Sequence, residues 1–131
     1  MDDREEFHPR VLVVEDDPGC QVLLERALRR LGCEFESCTD GRTALDLIFS
    51  KPYDMAIVDI HIPVLDGFMV ACQLREMGYA LPLVAISALS LEAIDSKAKA
   101  VGFDEFLQKP IEQEHIAEIL ERFLVNNRAE S

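Results

Sequence analysis

The sequence contains no apolar run that approaches the roughly 20 residues a membrane-spanning helix needs. Its N-terminal residues are acidic and polar, unlike the basic and then apolar start of a secretory signal. None of its four cysteines stands in a Cys-x-x-Cys spacing, which argues against a metal clip or a redox pair. We therefore expect a cytoplasmic protein with free thiols and no membrane anchor.

Basic residues are also scarce. Lys and Arg number 13 against 25 Asp and Glu, which gives a formal net charge of −12. A surface of that sign repels phosphate backbones, so direct nucleic-acid binding by this chain is not expected. A length of 131 residues suits one domain. We expect that domain at 10–125, after an acidic lead-in at 1–9 and before a tail at 126–131.

Short apolar runs alternate with segments of helical periodicity five times along the chain. The runs at 11–14, 55–58 and 83–86 are too short for helices and predict strands, and weaker strands are predicted at 35–38 and 105–108. The last predicted helix carries Ile116, Ile119, Leu120, Phe123 and Leu124. This alternation implies a parallel sheet covered on both faces. The predicted fold class is α/β: a flavodoxin-like (βα)5 doubly wound parallel sheet with strand order 2-1-3-4-5.

Polar residues stand where the predicted strands end. Glu15 and Asp16 follow the first strand, and Asp59, Ser87 and Lys109 end or follow the third, fourth and fifth. Taken singly, each has an ordinary explanation as a turn former, a buried hydroxyl bonded to backbone or a solvated charge. In such sheets, however, ligands bind at the carboxyl ends of the strands near the switch point between strands 1 and 3. Their convergence at that edge predicts a shared functional site.

The charges at that edge suggest a metal ion. Like charges 4 Å apart repel by about 4 kcal/mol per pair at an effective dielectric constant of about 20, so Glu15, Asp16 and Asp59 need compensation. One divalent cation together with Lys109 would neutralise them. Hard oxygen ligands in an incomplete cage favour Mg²⁺, with Mn²⁺ as an alternative. Because a carboxylate can accept a phosphoryl group, and such transfer needs mainly positioning and charge neutralisation, phosphoryl chemistry is predicted.

At these residues the chain resembles the receiver domain of bacterial response regulators. The resemblance covers about residues 10–125 and is carried by the order and spacing of 11–17, 54–67, 85–88 and 106–110. It implies a two-component or phosphorelay protein. The phosphodonor would be a phosphohistidine on a sensor histidine kinase or a histidine phosphotransfer domain. A receiver is not a classical enzyme, although it promotes its own phosphorylation, and we expect a monomer or weak dimer.

The resemblance also assigns roles near the phosphate. Asp59 would be the phosphoacceptor. Asp16 would bind Mg²⁺ directly, Glu15 through water, and the backbone carbonyl of His61 would complete the protein ligands. Lys109 would contact the phosphoryl group.

Further roles concern signalling. Ser87 and Phe106 would form the switch that changes the face built from helix 4, strand 5 and helix 5. The resemblance implies a cis peptide bond between Lys109 and Pro110. Asp17 is best explained as a solvated helix cap.

Several positions depart from common family patterns: Glu15 replaces the more frequent Asp, Asp17 adds a third acid, and two further positions bear on hydrolysis. His61 is unusual two residues after the acceptor and could hinder an attacking water, and Leu89 has no polar group to position one. We expect slow self-dephosphorylation.

Three alternatives remain at this point. A haloacid-dehalogenase-type phosphatase also uses a strand-end Asp with Mg²⁺. It requires a second Asp two residues later as general acid, and this chain has His61 at that position. A flavodoxin-like FMN protein needs a phosphate loop where Glu15 and Asp16 would repel phosphate. A degenerate receiver would serve only as an interaction module, but the complete set of Asp16, Asp59, Ser87 and Lys109 argues against it.

Overall fold

The computed structural model describes residues 8–125, so the predicted lead-in is described only at residues 8 and 9 and the predicted tail lies outside the described residues. Within that range, five strands alternate with five α-helices. The strands are β1 (Arg10–Val14), β2 (Glu34–Cys38), β3 (Met55–Asp59), β4 (Leu83–Ser87) and β5 (Glu105–Gln108). The helices are α1 (Pro18–Arg30), α2 (Gly41–Ser50), α3 (Gly67–Glu76), α4 (Leu91–Val101) and α5 (Gln113–Leu120).

The strands form one parallel sheet in the order β2-β1-β3-β4-β5, which confirms the predicted flavodoxin-like fold. Strands β1 and β3 lie side by side at the switch point, with Val14 opposite Val58. Farther along the same edge, Ser87 of β4 lies opposite Gln108 of β5. Because all five strands are parallel, their carboxyl ends lie along one edge of the sheet.

Both faces of the sheet are covered by helices. Successive strand residues point to opposite faces, so Leu12 and Val14 belong to one buried cluster and Val11 and Val13 to the other. The first cluster packs against α2, α3 and α4, and the second against α1 and α5. Every residue of β3 and β4 is buried, which explains why these strands appear in the sequence as continuous apolar runs.

Four helices begin with a side-chain cap at the same edge of the sheet. Asp17, Asp40, Asp66 and Ser90 each accept a hydrogen bond from the backbone amide three residues later. The cap predicted at Asp17 is confirmed, since its Oδ2 accepts from the Cys20 amide at 3.1 Å. Replacing such a cap by Ala costs typically about 1 kcal/mol. These caps fix where each helix leaves the edge that carries the polar residues.

The last helix differs from the prediction. Helix α5 ends at Leu120 and the chain continues as a π-helical turn at Glu121–Val125, so Phe123 and Leu124 lie in that turn. Within the turn Arg122 forms an ion pair with Glu105 of β5. Leu124 is 6% exposed, so the wider turn still directs its apolar side chain into the core. Among the helices of residues 8–125, none combines the length and the apolar character needed to cross a membrane.

Candidate metal and phosphoacceptor site

The parallel sheet brings the predicted site residues to one edge. Glu15 follows β1 and extends its pairing with β2, because its amide donates to the Cys38 carbonyl at 3.0 Å. Asp59 and Ser87 are the last residues of β3 and β4. Lys109 follows β5, and its amide donates to the Ser87 carbonyl at 2.8 Å. Backbone hydrogen bonds thus fix the positions of these residues along the edge of the sheet.

Asp59 lies at the centre of the site and is 3% exposed. Its Oδ1 accepts from the His61 amide at 2.8 Å and its Oδ2 from Lys109 Nζ at 2.8 Å. Burial acts to raise the pKa of Asp59. Its interactions with Glu15, Lys109 and the His61 amide outweigh burial, so the pKa of this carboxyl lies below its ordinary value. The group is therefore a carboxylate at neutral pH and available as a nucleophile.

Glu15 is fully buried beside Asp59. Burial, and then the neighbouring Asp59 carboxyl, raise the pKa of Glu15 to about 7. Its Oε1 lies 2.7 Å from Lys109 Nζ in an ion pair that lacks hydrogen-bond geometry, and it accepts no hydrogen bond from the part of the chain that the structure describes. A buried carboxylate oxygen in that position is costly without a further positive partner.

The acidic residues fit a divalent cation. Glu15, Asp16 and Asp59 each offer a carboxylate oxygen, and these oxygens lie within 4.8 Å of one another. Glu15 and Asp59 are buried, whereas Asp16 is exposed, so the group is open to solvent on one side. Lys109 balances only one of the three negative charges. Hard oxygen donors in an incomplete cage suit Mg²⁺, which keeps several waters. A cation bound here would also give the buried Glu15 Oε1, which accepts no hydrogen bond from the described residues, a second positive partner.

Ser87 and Phe106 lie on neighbouring strands. Ser87 is fully buried, and its Oγ accepts from the Leu89 amide at 3.0 Å. Phe106 is half-buried on β5, packs against the cluster on the α2, α3 and α4 side, and lines a groove that also contacts Ala98 and His115. The structure therefore places Ser87 at the edge with the acids, and Phe106 farther back on the face toward α4 and α5.

His61 contributes backbone to the site, while its side chain is exposed. The family resemblance implies a role for its carbonyl, but the hydrogen bond from its amide to Asp59 could not be foreseen. The peptide bond between Lys109 and Pro110 is cis.

Gly67 was also missed as a site residue. A Cβ on Gly67 would lie 2.7 Å from Ile60 Cα and 2.8 Å from the Asp59 carbonyl oxygen. Glycine is therefore needed for α3 to begin against the end of β3. The sequence signal is the Asp66-Gly67 pair, which by itself predicts only a turn before a helix.

A doubly wound parallel sheet with a buried carboxylate, two further acids and a lysine at its carboxyl edge fits an α/β domain that could accept a phosphoryl group there. The profile of the response regulator receiver domain matches residues 11–121. The chain belongs to the response regulator receiver domain family and is a receiver of two-component signalling. The phosphatase and flavin-protein alternatives find no support.

Curated relatives include response regulators and histidine kinases. The transcriptional regulatory protein TctD of Salmonella typhimurium is 36% identical over 107 residues, which cover 82% of this chain and 48% of TctD. The peroxide stress-activated histidine kinase mak3 of Schizosaccharomyces pombe is 31% identical over 125 residues, covering 89% of this chain and 5% of mak3. The chain thus spans less than half the length of either protein.

Solved structures show the same fold. The chemotaxis response regulator CheY4 of Vibrio cholerae superposes with a TM-score of 0.82 at 29% identity, covering 90% of this chain and 100% of that one. The receiver domain of sensor histidine kinase PA1611 from Pseudomonas aeruginosa has a TM-score of 0.81 at 28% identity, covering 89% and 98% of the two chains. That receiver holds a magnesium ion in its active-site cleft.

Proposed function

We propose that this receiver accepts a phosphoryl group on Asp59 from a phosphohistidine, in a magnesium-dependent reaction. The donor is a sensor histidine kinase or a histidine phosphotransfer domain. One observation carries the proposal: a buried carboxylate at the end of β3 contacts Lys109 Nζ at 2.8 Å and shares its surroundings with the acids Glu15 and Asp16. Family membership supports the same role.

The reaction is a displacement at phosphorus. An oxygen of the Asp59 carboxylate attacks, a new O–P bond forms, and the N–P bond to the donor imidazole breaks with its electron pair left on nitrogen. Lys109 Nζ moves its contact from Asp59 Oδ2 to a phosphoryl oxygen as negative charge collects there. Because Ser87 Oγ accepts from the Leu89 amide, its own proton is free to donate to another phosphoryl oxygen.

The metal would be held by Asp16 directly, by Glu15 through water, by Asp59 and by the His61 carbonyl. When bound, Mg²⁺ or Mn²⁺ supplies positive charge to the phosphoryl oxygens and to the acids around them. The His61 amide keeps the Asp59 carboxylate oriented at 2.8 Å while it reacts.

Phosphorylation would then shift the domain between two states. The phosphoryl group adds negative charge and acceptor oxygens at Asp59, which draw Ser87 toward the site. The space that Ser87 leaves permits Phe106 to turn inward from the groove of about 800 Å³ that it lines. The face formed by α4, β5 and α5 thereby changes its affinity for an output domain or partner protein.

The cellular location, the oligomeric state and the contact with nucleic acid are also matters of proposal. We infer a cytoplasmic location and a monomer or weak dimer. We also infer that this chain makes no direct contact with nucleic acid, and the net charge of −12 supports that inference.

The test is phosphorylation by a small donor. The protein is incubated with acetyl phosphate, with Mg²⁺ or with EDTA, and weighed by intact-mass spectrometry. We expect one added phosphoryl group that requires Mg²⁺ and is absent from Asp59→Asn. Asp46→Asn is the matched control, because Asp46 is an exposed aspartate on α2, and it should be phosphorylated like the parent.

Two results would overturn the proposal. One is a parent protein that acquires no phosphoryl group under any of these conditions while remaining folded. The other is an Asp59→Asn variant that acquires the group as fast as Asp46→Asn, since the acceptor would then lie elsewhere.

A further inference from the structure

We propose that Gly41, the first residue of α2, is a positioning residue for the phosphoacceptor loop, which we define as residues 60–66 between β3 and α3. Gly41 belongs to neither the proposed acceptor nor the proposed metal ligands. It acts through Pro63 and Leu65, two loop residues that contact it. The inference rests on the proposed phosphoacceptor role of Asp59.

The contact between Gly41 and the loop is too close for any side chain. The Gly41 amide donates to the Pro63 carbonyl at 3.3 Å. A Cβ at Gly41 would lie 2.1 Å from the Leu65 carbonyl oxygen and 2.9 Å from the Leu65 carbonyl carbon. Because these atoms are backbone, rotation of a side chain cannot relieve the overlap. Gly41 is also buried, so the missing side chain is what lets the loop lie against α2.

Gly41 fixes the tip of a loop whose base is fixed elsewhere. At the base, the Gly67 amide donates to the Ile60 carbonyl at 2.8 Å. At the tip, the Leu65 amide donates to the Pro63 carbonyl at 2.9 Å, and Val64 between them has φ 71°, which together form a γ-turn. Such a turn is rare and strained on its own, and it persists here where α2 packs against it.

The fixed tip determines where His61 lies. His61 stands between base and tip, its amide orients Asp59, and its carbonyl is the proposed backbone ligand of the metal. To bring a Cβ at Gly41 from 2.1 Å to the 3.4 Å of an ordinary contact, the loop would have to move by about 1.3 Å. A displacement of about 1 Å at a reacting group can slow a reaction by roughly 100-fold.

The experiment compares Gly41→Ala with Gly78→Ala. Gly78 follows α3 at the opposite edge of the sheet, has φ 85° and has no atom within 4 Å of a built Cβ. Its replacement strains the backbone without touching the site. For Gly41→Ala we expect acetyl phosphate to react at least about tenfold more slowly and the Kd for Mg²⁺ to rise about tenfold. The Kd is read from an NMR titration of the His61 amide, whose resonance should already be displaced before Mg²⁺ is added. Gly78→Ala should keep the parent rate, Kd and resonance.

A folded Gly41→Ala variant with the parent rate, Kd and His61 resonance would overturn the inference. If Gly41→Ala does not fold, the inference is tested on the parent protein instead. In a Mg²⁺ titration of the parent protein, the Gly41 amide resonance should shift with the same Kd as the His61 amide resonance. A Gly41 amide resonance that does not shift on addition of Mg²⁺ overturns the inference. Failure of the phosphoacceptor proposal looks different, because the parent protein itself would then acquire no phosphoryl group.

Discussion

The ammonium of Lys109 lies 2.8 Å from Oδ2 of Asp59, across 50 residues of sequence. The same Nζ lies 2.7 Å from Oε1 of Glu15, so one cation serves two buried carboxylates. Burial acts to lower the pKa of Lys109, but the interactions with Asp59 and Glu15 outweigh it and raise that pKa. Lys109 is therefore charged at any physiological pH, and its loss should leave both acids without compensation.

We expect Lys109→Met to lower the free energy of unfolding of the metal-free protein by about 2 kcal/mol at pH 8, because a buried charged group that loses its partner carries its full desolvation penalty. At pH 5.5 the loss should be smaller, since Glu15 then holds a proton. Urea unfolding followed by circular dichroism in EDTA measures both values.

Lys99→Met is the control for that substitution. Lys99 is 73% exposed and pairs with Asp95 at 3.0 Å one helical turn away. Exposed pairs of this kind contribute about 0.5 kcal/mol or less. Equal losses in the two variants would show that the Lys109 contacts do not stabilise the fold.

The raised pKa of Glu15 predicts a pH dependence of stability. Its pKa rises from 4.5 to about 7 on folding, so between these values the native state binds a proton that the unfolded chain releases. Stability then falls as pH rises through that window. We expect the free energy of unfolding of the metal-free protein to decrease from about pH 4.5 to about pH 7, with Glu15→Gln flattening the slope.

The lowered pKa of Asp59 makes stability depend on pH in the opposite direction, and in a different pH range. Its pKa in the folded protein lies below 3.8, so its stabilisation is present above pH 3.8 and is lost as pH falls through the lowered value. Glu15→Gln should leave in place the part of this acid limb that comes from Lys109 and the His61 amide. A parent slope that is flat or rising between about pH 4.5 and pH 7 would contradict the assignment to Glu15.

The site residues could be predicted from the sequence because a parallel sheet needs only its element order to place them. Once residues 55–58 form a strand next to 11–14, the following acids must share an edge. Lys109 joins them because residues 105–108 pair with the strand that ends at Ser87. None of these steps requires a side-chain distance.

The contacts that orient the site could not be predicted in this way. Local loop geometry determines which oxygen of Asp59 accepts from Lys109 and which accepts from the His61 amide. The approach of Leu65 to Gly41 joins two loops and depends on how α2 and α3 pack. In the sequence, Gly41 indicates only a turn or a helix start. The π-helical turn escaped prediction because Leu124 is buried whether or not the regular helix continues.

The conformation of Val64 predicts a stabilising substitution. A β-branched residue with φ 71° is strained by roughly 1–3 kcal/mol, and the side chain is 77% exposed, so little packing offsets that strain. Asn adopts positive φ more readily than a β-branched residue. We expect Val64→Asn to raise the free energy of unfolding by about 1 kcal/mol in urea, without slowing phosphorylation, because the turn keeps its shape.

Val22→Asn provides the comparison. Val22 is 51% exposed within α1, where Val and Asn have similar helix propensities, so that change should be near neutral. If Val64→Asn is no more stable than the parent while Val22→Asn behaves as expected, the turn at Val64 is not strained in solution.

The last prediction concerns how long the acyl phosphate survives. Hydrolysis requires a water molecule to attack phosphorus, and Leu89, two residues beyond Ser87, presents a side chain that is 47% exposed but cannot hydrogen-bond that water. Its amide is fixed by Ser87 Oγ at 3.0 Å, so a polar side chain placed there would be held near the site. We expect Leu89→Asn to shorten the lifetime of the phosphorylated protein by about tenfold, measured by intact mass after the donor is removed. Leu31→Asn, an exposed change at the end of α1 on the opposite edge of the sheet, should leave the lifetime unchanged. Equal lifetimes for Leu89→Asn and the parent would mean that the slow step is set elsewhere in the site.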